Sequence, residues 1–157
     1  MNGRLLAVCI SDRRGVQKRN VGRGKLVVGH GIEGDAHAGD WHRQVSLLAQ
    51  ESADWMRERG ADIAPGAFGE NLLTEGIDLK SLPIGTIINV GNSVRLRVTQ
   101  IGKECHDRCA IYKLVGDCVM PREGIFAEVL QGGEVAVGDS VEVVSPGDRA
   151  ADVVGDS

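Results

Sequence analysis

A mainly β domain with many tight turns is what this sequence predicts, on three observations. Glycine is abundant, with 22 among 157 residues, while aromatic residues make up only 3%; that composition suits short strands joined by turns. The apolar runs are of strand length, as in Leu5 to Ile10. Val94, Leu96 and Val98 alternate with Arg95, Arg97 and Thr99, the period of a half-buried strand.

Along the chain, Leu5 to Ile10 reads as a buried strand, and Ser11 to Gly24 as a loop carrying Arg13, Arg14, Lys18, Arg19 and Arg23. That loop is either a solvated face or faces an anion. Lys25 to Val28 reads as a strand before the glycine-rich GHGIEGDAHAG. Val45, Leu48, Ala49, Ala53, Trp55 and Met56 fall roughly at helical spacing, which predicts an amphipathic helix over Gln44 to Arg59, its first residues extended or helical, stopped by Gly60. Strand signals return at Glu70 to Thr74, Thr86 to Val90 and Val94 to Gln100. The glycine turns Pro83 to Thr86 and Val137 to Ser140 each deliver a β-branched strand, a likeness common in barrels that is not a repeat. Asp107 to Val115 can form a short helix closed by Gly116, and the sequence after Val144 reads as a frayed tail.

The length suits one domain with a real core. A formal net charge of -4 and a pI near 5.5 argue against a general nucleic-acid binder, so any anion site must be local. No apolar run approaches the roughly 20 residues of a membrane span, and Leu5 to Ile10 is too short for a secretory signal, so a cytoplasmic protein is expected. The cysteines at 9, 105, 109 and 118 are then expected as reduced thiols.

Two clusters carry chemistry. Gly34 to Gln44 packs Asp35, His37, Asp40, His42, Arg43 and Gln44 into eleven residues. Imidazole and carboxylate are competent metal ligands, yet histidines five apart match no standard zinc spacing. Alternatively, Asp35 and His37 tie down a glycine turn, or the loop faces a ligand and Arg43 and Gln44 donate to an anion. The second cluster is Lys103-Glu104-Cys105-His106-Asp107-Arg108-Cys109, with Cys118 nine residues on. Nearby cations and a helix N-terminus favour thiolate, and Lys103, Arg108 and the predicted helix start all lie close to Cys105. Free cysteine is otherwise a buried apolar residue, the expectation for Cys9 in its strand and a serious alternative for Cys118. A structural zinc on Cys105, Cys109, Cys118 and His106 would make an interaction module, although C-x3-C-x8-C lacks the paired short spacings of zinc ribbons.

Read together, GIEGDAHAGDWHRQVSLLAQES, FGENLLTEGIDLKSLPIG and VTQIGKECHDRCAIYKLVGDCVMPREGIFAEVLQGGEVAVGD resemble the MOSC domain, named for the C-terminal domain of molybdenum cofactor sulfurases. The likeness runs from about Leu5 to Val144, leaving 145–157 as a tail, and Ser11 and Lys18 resemble the family's N-terminal serine and lysine pattern. It implies a bent, mainly antiparallel barrel of the stand-alone bacterial type, similar to the pyruvate kinase barrel, with a few short helices. It implies binding of the molybdenum cofactor, a molybdopterin, or sulfur carriage as a cysteine persulfide. Cys105 is then the favoured reactive residue and molybdenum ligand, with Cys109 its rival and Cys118 a further candidate ligand. Lys18, Asp35, His37, His42, Arg43, Gln44, Asn71, Lys103 and Arg108 would surround the anionic cargo. Pyridoxal phosphate belongs to the desulfurase domain fused to larger relatives and is not expected here. A cysteine desulfurase or other donor would supply sulfur, and a molybdenum enzyme would accept the product. A non-catalytic cofactor carrier is the alternative.

Overall fold

The computed structural model describes residues 2–13, 17–58, 64–102 and 124–145. The elements in chain order are β1 (Asn2–Ile10), β2 (Arg19–Asn20), β3 (Arg23–Val27), β4 (Gly31–Ile32), β5 (Val45–Ala49), α1 (Gln50–Arg57), β6 (Leu72–Glu75), a 3-10 turn (Leu79–Ser81), β7 (Ile87–Val90), β8 (Val94–Ile101), β9 (Ile125–Gln131), β10 (Gly133–Ala136) and β11 (Ser140–Ser145). Seven strands close a barrel in the order β1, β6, β5, β9, β8, β7, β11 and back to β1. Every neighbouring pair is antiparallel except β5 and β6, which run parallel. A parallel pair needs a crossover, and α1 lies within it. Strands β3, β4 and β10 form a separate three-stranded sheet.

The barrel interior is filled by Leu5, Val8, Leu47, Leu72, Ile88, Val90, Leu96, Val98, Ile125 and Ala127, among others. A second apolar cluster of Ala7, Cys9, Leu48, Ala53, Ala67, Phe68, Leu73 and Phe126 joins the outer face of the barrel to α1. Adjacent residues divide between the two: Leu47 and Leu72 go to the first, Leu48 and Leu73 to the second, as the alternating direction of strand side chains requires. In β1 a register shift between Leu5 and Ala7 breaks the period, so that Leu5 and Val8 share the interior while Ala7 and Cys9 share the outer cluster.

Of the two readings of Gln44 to Arg59, the one with extended first residues before the helix is what the structure shows. Residues Val45–Ala49 form β5, buried along its whole length, and the helix begins at Gln50. A strand covered on one side by the core and on the other by a helix shows no polar alternation. Its apolar run therefore merged with that of α1. Strand β3 begins at Arg23 and ends at Val27, earlier than the expected Lys25 to Val28, because Arg23 and Gly24 pair with Ala136 and Val135 of β10. Strands β9 and β10 were not anticipated. The helix expected at Asp107 to Val115, the stop at Gly60 and the tail beyond Ser145 lie outside the described residues. No helix among the described residues is long and apolar enough to cross a membrane.

Candidate functional site

The loop between β4 and β5 folds back onto the end of β1 and draws the basic loop with it. Gly31 permits the approach: its φ is +124°, and a Cβ there would sit 2.4 Å from the carbonyl oxygen of Gln44. Ala36 donates its N–H to the Ser11 carbonyl and Gly39 to that of His30. Gly66 does the same for Lys18. Its φ is +90°, its carbonyl accepts the Lys18 N–H at 2.9 Å, and a Cβ would collide with the Lys18 carbonyl oxygen at 2.2 Å.

These contacts bury an ion pair. The Lys18 and Asp35 side chains are both 0% exposed, with Nζ 2.8 Å from Oδ1. Lys18 Nζ also donates to Ser11 Oγ at 3.1 Å and lies 2.9 Å from His37 Nδ1. Asp35 is held from the other side: Oδ1 accepts the Ser11 N–H and Oδ2 the His37 N–H. Burial pushes the Asp35 carboxyl up, but the hydrogen bond and charge of Lys18, with the Ser11 N–H and the Asn71 amide, outweigh it and hold the group below the ordinary aspartate value.

Beneath the pair lies a second carboxylate, Glu70. Its oxygens accept the N–H groups of Gly66 at 2.7 Å and Phe68 at 3.2 Å. Burial raises its pKa; those N–H bonds, its own backbone N–H and Lys18 only moderate the rise. Asn71, just before β6, ties β5 to β1, accepting from the N–H and hydroxyl of Ser46 and donating to the Cys9 carbonyl. The Cys9 thiol is pushed up to about 12 by burial and by Glu70, with Lys18 opposing, which makes it a packing residue as the sequence suggested.

From His37 the site continues outward. The Trp41 indole donates to the His37 carbonyl at 2.8 Å. The Arg43 guanidinium lies between two rings, 5.2 Å from the centroid of Trp41 and 5.5 Å from that of Phe126. Its Nε is buried and has no hydrogen-bond partner among the described residues. Gln44 is buried and its Oε1 accepts the Val129 N–H at 2.9 Å, tying the loop to β9. His42 is exposed; its Nε2 meets Gln100 Oε1 at 2.7 Å, and its carbonyl accepts the Thr99 hydroxyl.

Gln100 in turn donates to the Gly102 carbonyl at 2.7 Å, and the Gly102 N–H to the Gly124 carbonyl at 2.6 Å. The ends of β8 and β9 thus meet beside His42, Arg43 and Phe126, and the residues between these two glycines in sequence include Lys103, Cys105, His106, Arg108, Cys109 and Cys118. Those six residues lie outside the described ones. The structure thus gathers Lys18, Asp35 and His37 into one bonded group and places Arg43 and His42 at the root of the cysteine segment. Asn71 and Gln44 serve as clasps between strands. The alternative of a metal held by Asp35 and His37 meets an obstacle, because Asp35 Oδ1 and His37 Nδ1 both face an ammonium. No cluster of three or more His, Cys, Asp or Glu among the described residues is placed to hold a metal.

Ser11 was legible only through the resemblance. Glu70 and Phe126 were missed as site residues; the polar pair Glu70-Asn71 between the Gly66–Gly69 turn and an apolar strand was the available signal for the first. Nothing local marked Phe126, which reads as strand core.

A closed barrel of mixed strand direction with a buried polar group at the end of β1 defines the class. The chain belongs to the MOSC domain family, whose model matches residues 34–142. Solved structures agree in fold. The YuaD protein from Bacillus subtilis is 22% identical, with a TM-score of 0.77 over 92% of this chain and 97% of its own. YiiM from Geobacillus stearothermophilus is 18% identical, with a TM-score of 0.68 over 91% of this chain and 75% of that one. YiiM from Escherichia coli is 23% identical, with a TM-score of 0.65 over 98% and 73%. No curated protein matches the sequence.

Proposed function

We propose that this protein holds an anionic pterin or sulfur cargo against the cysteine segment, and that Cys105, with Cys109 as the alternative, carries sulfur as a persulfide or ligates the cofactor's molybdenum. One observation supports this above the rest. Arg43 keeps an unpaired, buried Nε on a guanidinium steadied by two aromatic rings, at the barrel end where the cysteine segment begins. A buried donor without an acceptor costs about 1–3 kcal/mol, and an anionic guest removes that cost. The family's association with the molybdenum cofactor supports the same reading.

When bound, the cofactor supplies a molybdenum centre for sulfur or oxygen chemistry. The chain's own part is to present Arg43, with His42 next to it in sequence, to a phosphate or other anion, and to supply Lys103 and Arg108, the cations on either side of Cys105 in sequence. In sulfur carriage, the cysteine thiolate attacks the outer sulfur of a persulfide on a cytoplasmic donor such as a cysteine desulfurase. The donor's S–S bond breaks, its cysteine leaves as thiolate, and a new persulfide forms here with no net oxidation. A molybdenum enzyme is the proposed acceptor.

The test is purification from a host that makes molybdenum cofactor, followed by assay of pterin, molybdenum, zinc and cysteine-bound sulfur in one preparation. Pterin or labelled sulfur on Cys105 or Cys109 is expected. A preparation with neither, after incubation with a desulfurase and labelled cysteine, overturns the proposal, and one zinc per chain points to the interaction module instead.

A further inference from the structure

The hydrogen bonds around Gln100 decide what His42 can offer a guest. The Gly102 carbonyl can only accept, so the end of the Gln100 amide that lies 2.7 Å from it must be the nitrogen. The other end, 2.7 Å from His42 Nε2, is then the amide oxygen, which also can only accept. Nε2 must therefore carry the ring proton, and Nδ1 of the neutral imidazole holds a lone pair. The residue is held by its backbone as well, since the Thr99 hydroxyl donates to the His42 carbonyl. His42 and Arg43 share the Trp41 indole as a neighbour, its ring centroid 5.9 Å from that of His42 and 5.2 Å from the guanidinium carbon. Gln100, Thr99 and Trp41 bring no charge to His42, so Arg43 is the charged group beside it. One of the two neighbours is a cation with an unmatched buried Nε; the other is an exposed imidazole whose Nδ1 bonds to none of the described residues.

We propose that Gln100 is a positioning residue that makes His42 a hydrogen-bond acceptor, and that His42 and Arg43 together select an oxyanion that still carries a proton, such as hydrogen phosphate, over one that carries none, such as sulfate. The two anions are close in size and shape, and the guanidinium takes the charge of either. The Nδ1 lone pair separates them: it accepts the P–OH of hydrogen phosphate but meets only lone pairs on sulfate. To hold sulfate, His42 must first take a proton from solvent. A phosphate ester that has lost its last proton is in the same position as sulfate, so the ester is held with one proton taken up. Setting a histidine tautomer through an outer partner is how ligating histidines are prepared for their ligands. The choice of anion rests on the cargo reading above; the tautomer does not.

Imidazole nitrogen NMR on the nitrogen-labelled protein at pH 8, with His42→Asn used to assign the signals, should show His42 in the Nε2–H form. A predominant Nδ1–H form overturns the inference without any variant of Gln100. Calorimetric titrations with inorganic phosphate and with sulfate at pH 8 and equal ionic strength should find phosphate bound about tenfold more tightly. Repeating them in buffers of different ionisation enthalpy counts protons: inorganic phosphate should bind with no uptake, whereas methyl phosphate, deprotonated at this pH, should bind more weakly and take up about one proton. In Gln100→Leu the imidazole is free to present Nδ1–H, and the preference for phosphate over sulfate should fall below about twofold. That ratio is not moved by a general loosening of the loop. A wild-type ratio near one, or a ratio in Gln100→Leu as large as in the wild type, overturns the selection while the cargo reading survives. If neither anion binds and the Nε2–H form is seen, the cargo reading and the selection both fall and the tautomer alone stands.

Discussion

The two cations of the site, Lys18 and Arg43, are linked through contacts with His37 and Trp41, yet their surroundings are opposite. Lys18 has every proton matched by a protein acceptor and no exposed surface. Arg43 has ring faces for neighbours and a buried Nε left unmatched. A saturated buried charge shapes the site from inside, whereas an unsaturated one is free to recognise a guest. Charge alone, as counted along the sequence, did not distinguish them.

That contrast can be broken most severely at Lys18. Lys18→Met strands the Asp35 carboxylate in a dry interior and should cost about 3–5 kcal/mol in urea unfolding. The double change with Asp35→Asn should recover much of it. A similar loss in both variants would show that the network depends on Lys18 packing and not on its charge. The pH dependence follows. The Asp35 carboxyl is depressed in the folded state, so its contribution is present above the ordinary aspartate value and is lost as pH falls through the depressed one. The acid limb of a stability profile should therefore flatten in the double variant.

Next in size is Glu70→Gln. The amide offers one acceptor where the two N–H groups of Gly66 and Phe68 need two, which costs about 1–3 kcal/mol at neutral pH. The sign of its pH effect is opposite to that of Asp35: a raised folded value gives a contribution present at low pH and lost as pH rises through it. Chemical denaturation of the variant across pH would check both.

Arg43→Gln should lower stability by only about 1 kcal/mol, the scale of its ring contacts, while abolishing retention of cofactor. A variant that unfolds easily, or that still retains cofactor, would erase the distinction drawn from Lys18. Smallest of all, Arg4→Ala breaks an exposed pair with Glu75 and should change the unfolding free energy by less than about 1 kcal/mol in urea unfolding. Cys9 should resist iodoacetamide at pH 8 in the folded protein and react only after unfolding; modification of native Cys9, mapped by mass spectrometry, would contradict its burial and raised pKa.

The β8 strand was legible because it is covered on one face: Val94, Leu96 and Val98 are buried and Arg95 and Arg97 exposed, the alternation visible in the sequence. Strand β5 was not, because both its faces are covered and periodicity vanishes there. The polar density of Gly34 to Gln44 marked a site, and the family resemblance added Ser11, Lys18 and Asn71. Neither could divide the residues into those that bond to each other and those left unmatched, since the partners come from separate loops and strands.

By itself, then, the sequence determined a β-rich domain with local strand periods, glycine turns and two chemically dense segments, because these depend on residues close along the chain. Tertiary structure alone decided that Lys18 meets Asp35 and His37, that Arg43 lies between Trp41 and Phe126, and that Gly31 and Gly66 let those loops close. Such pairings depend on how a barrel is shut and on which backbone can approach which, and no local pattern encodes that.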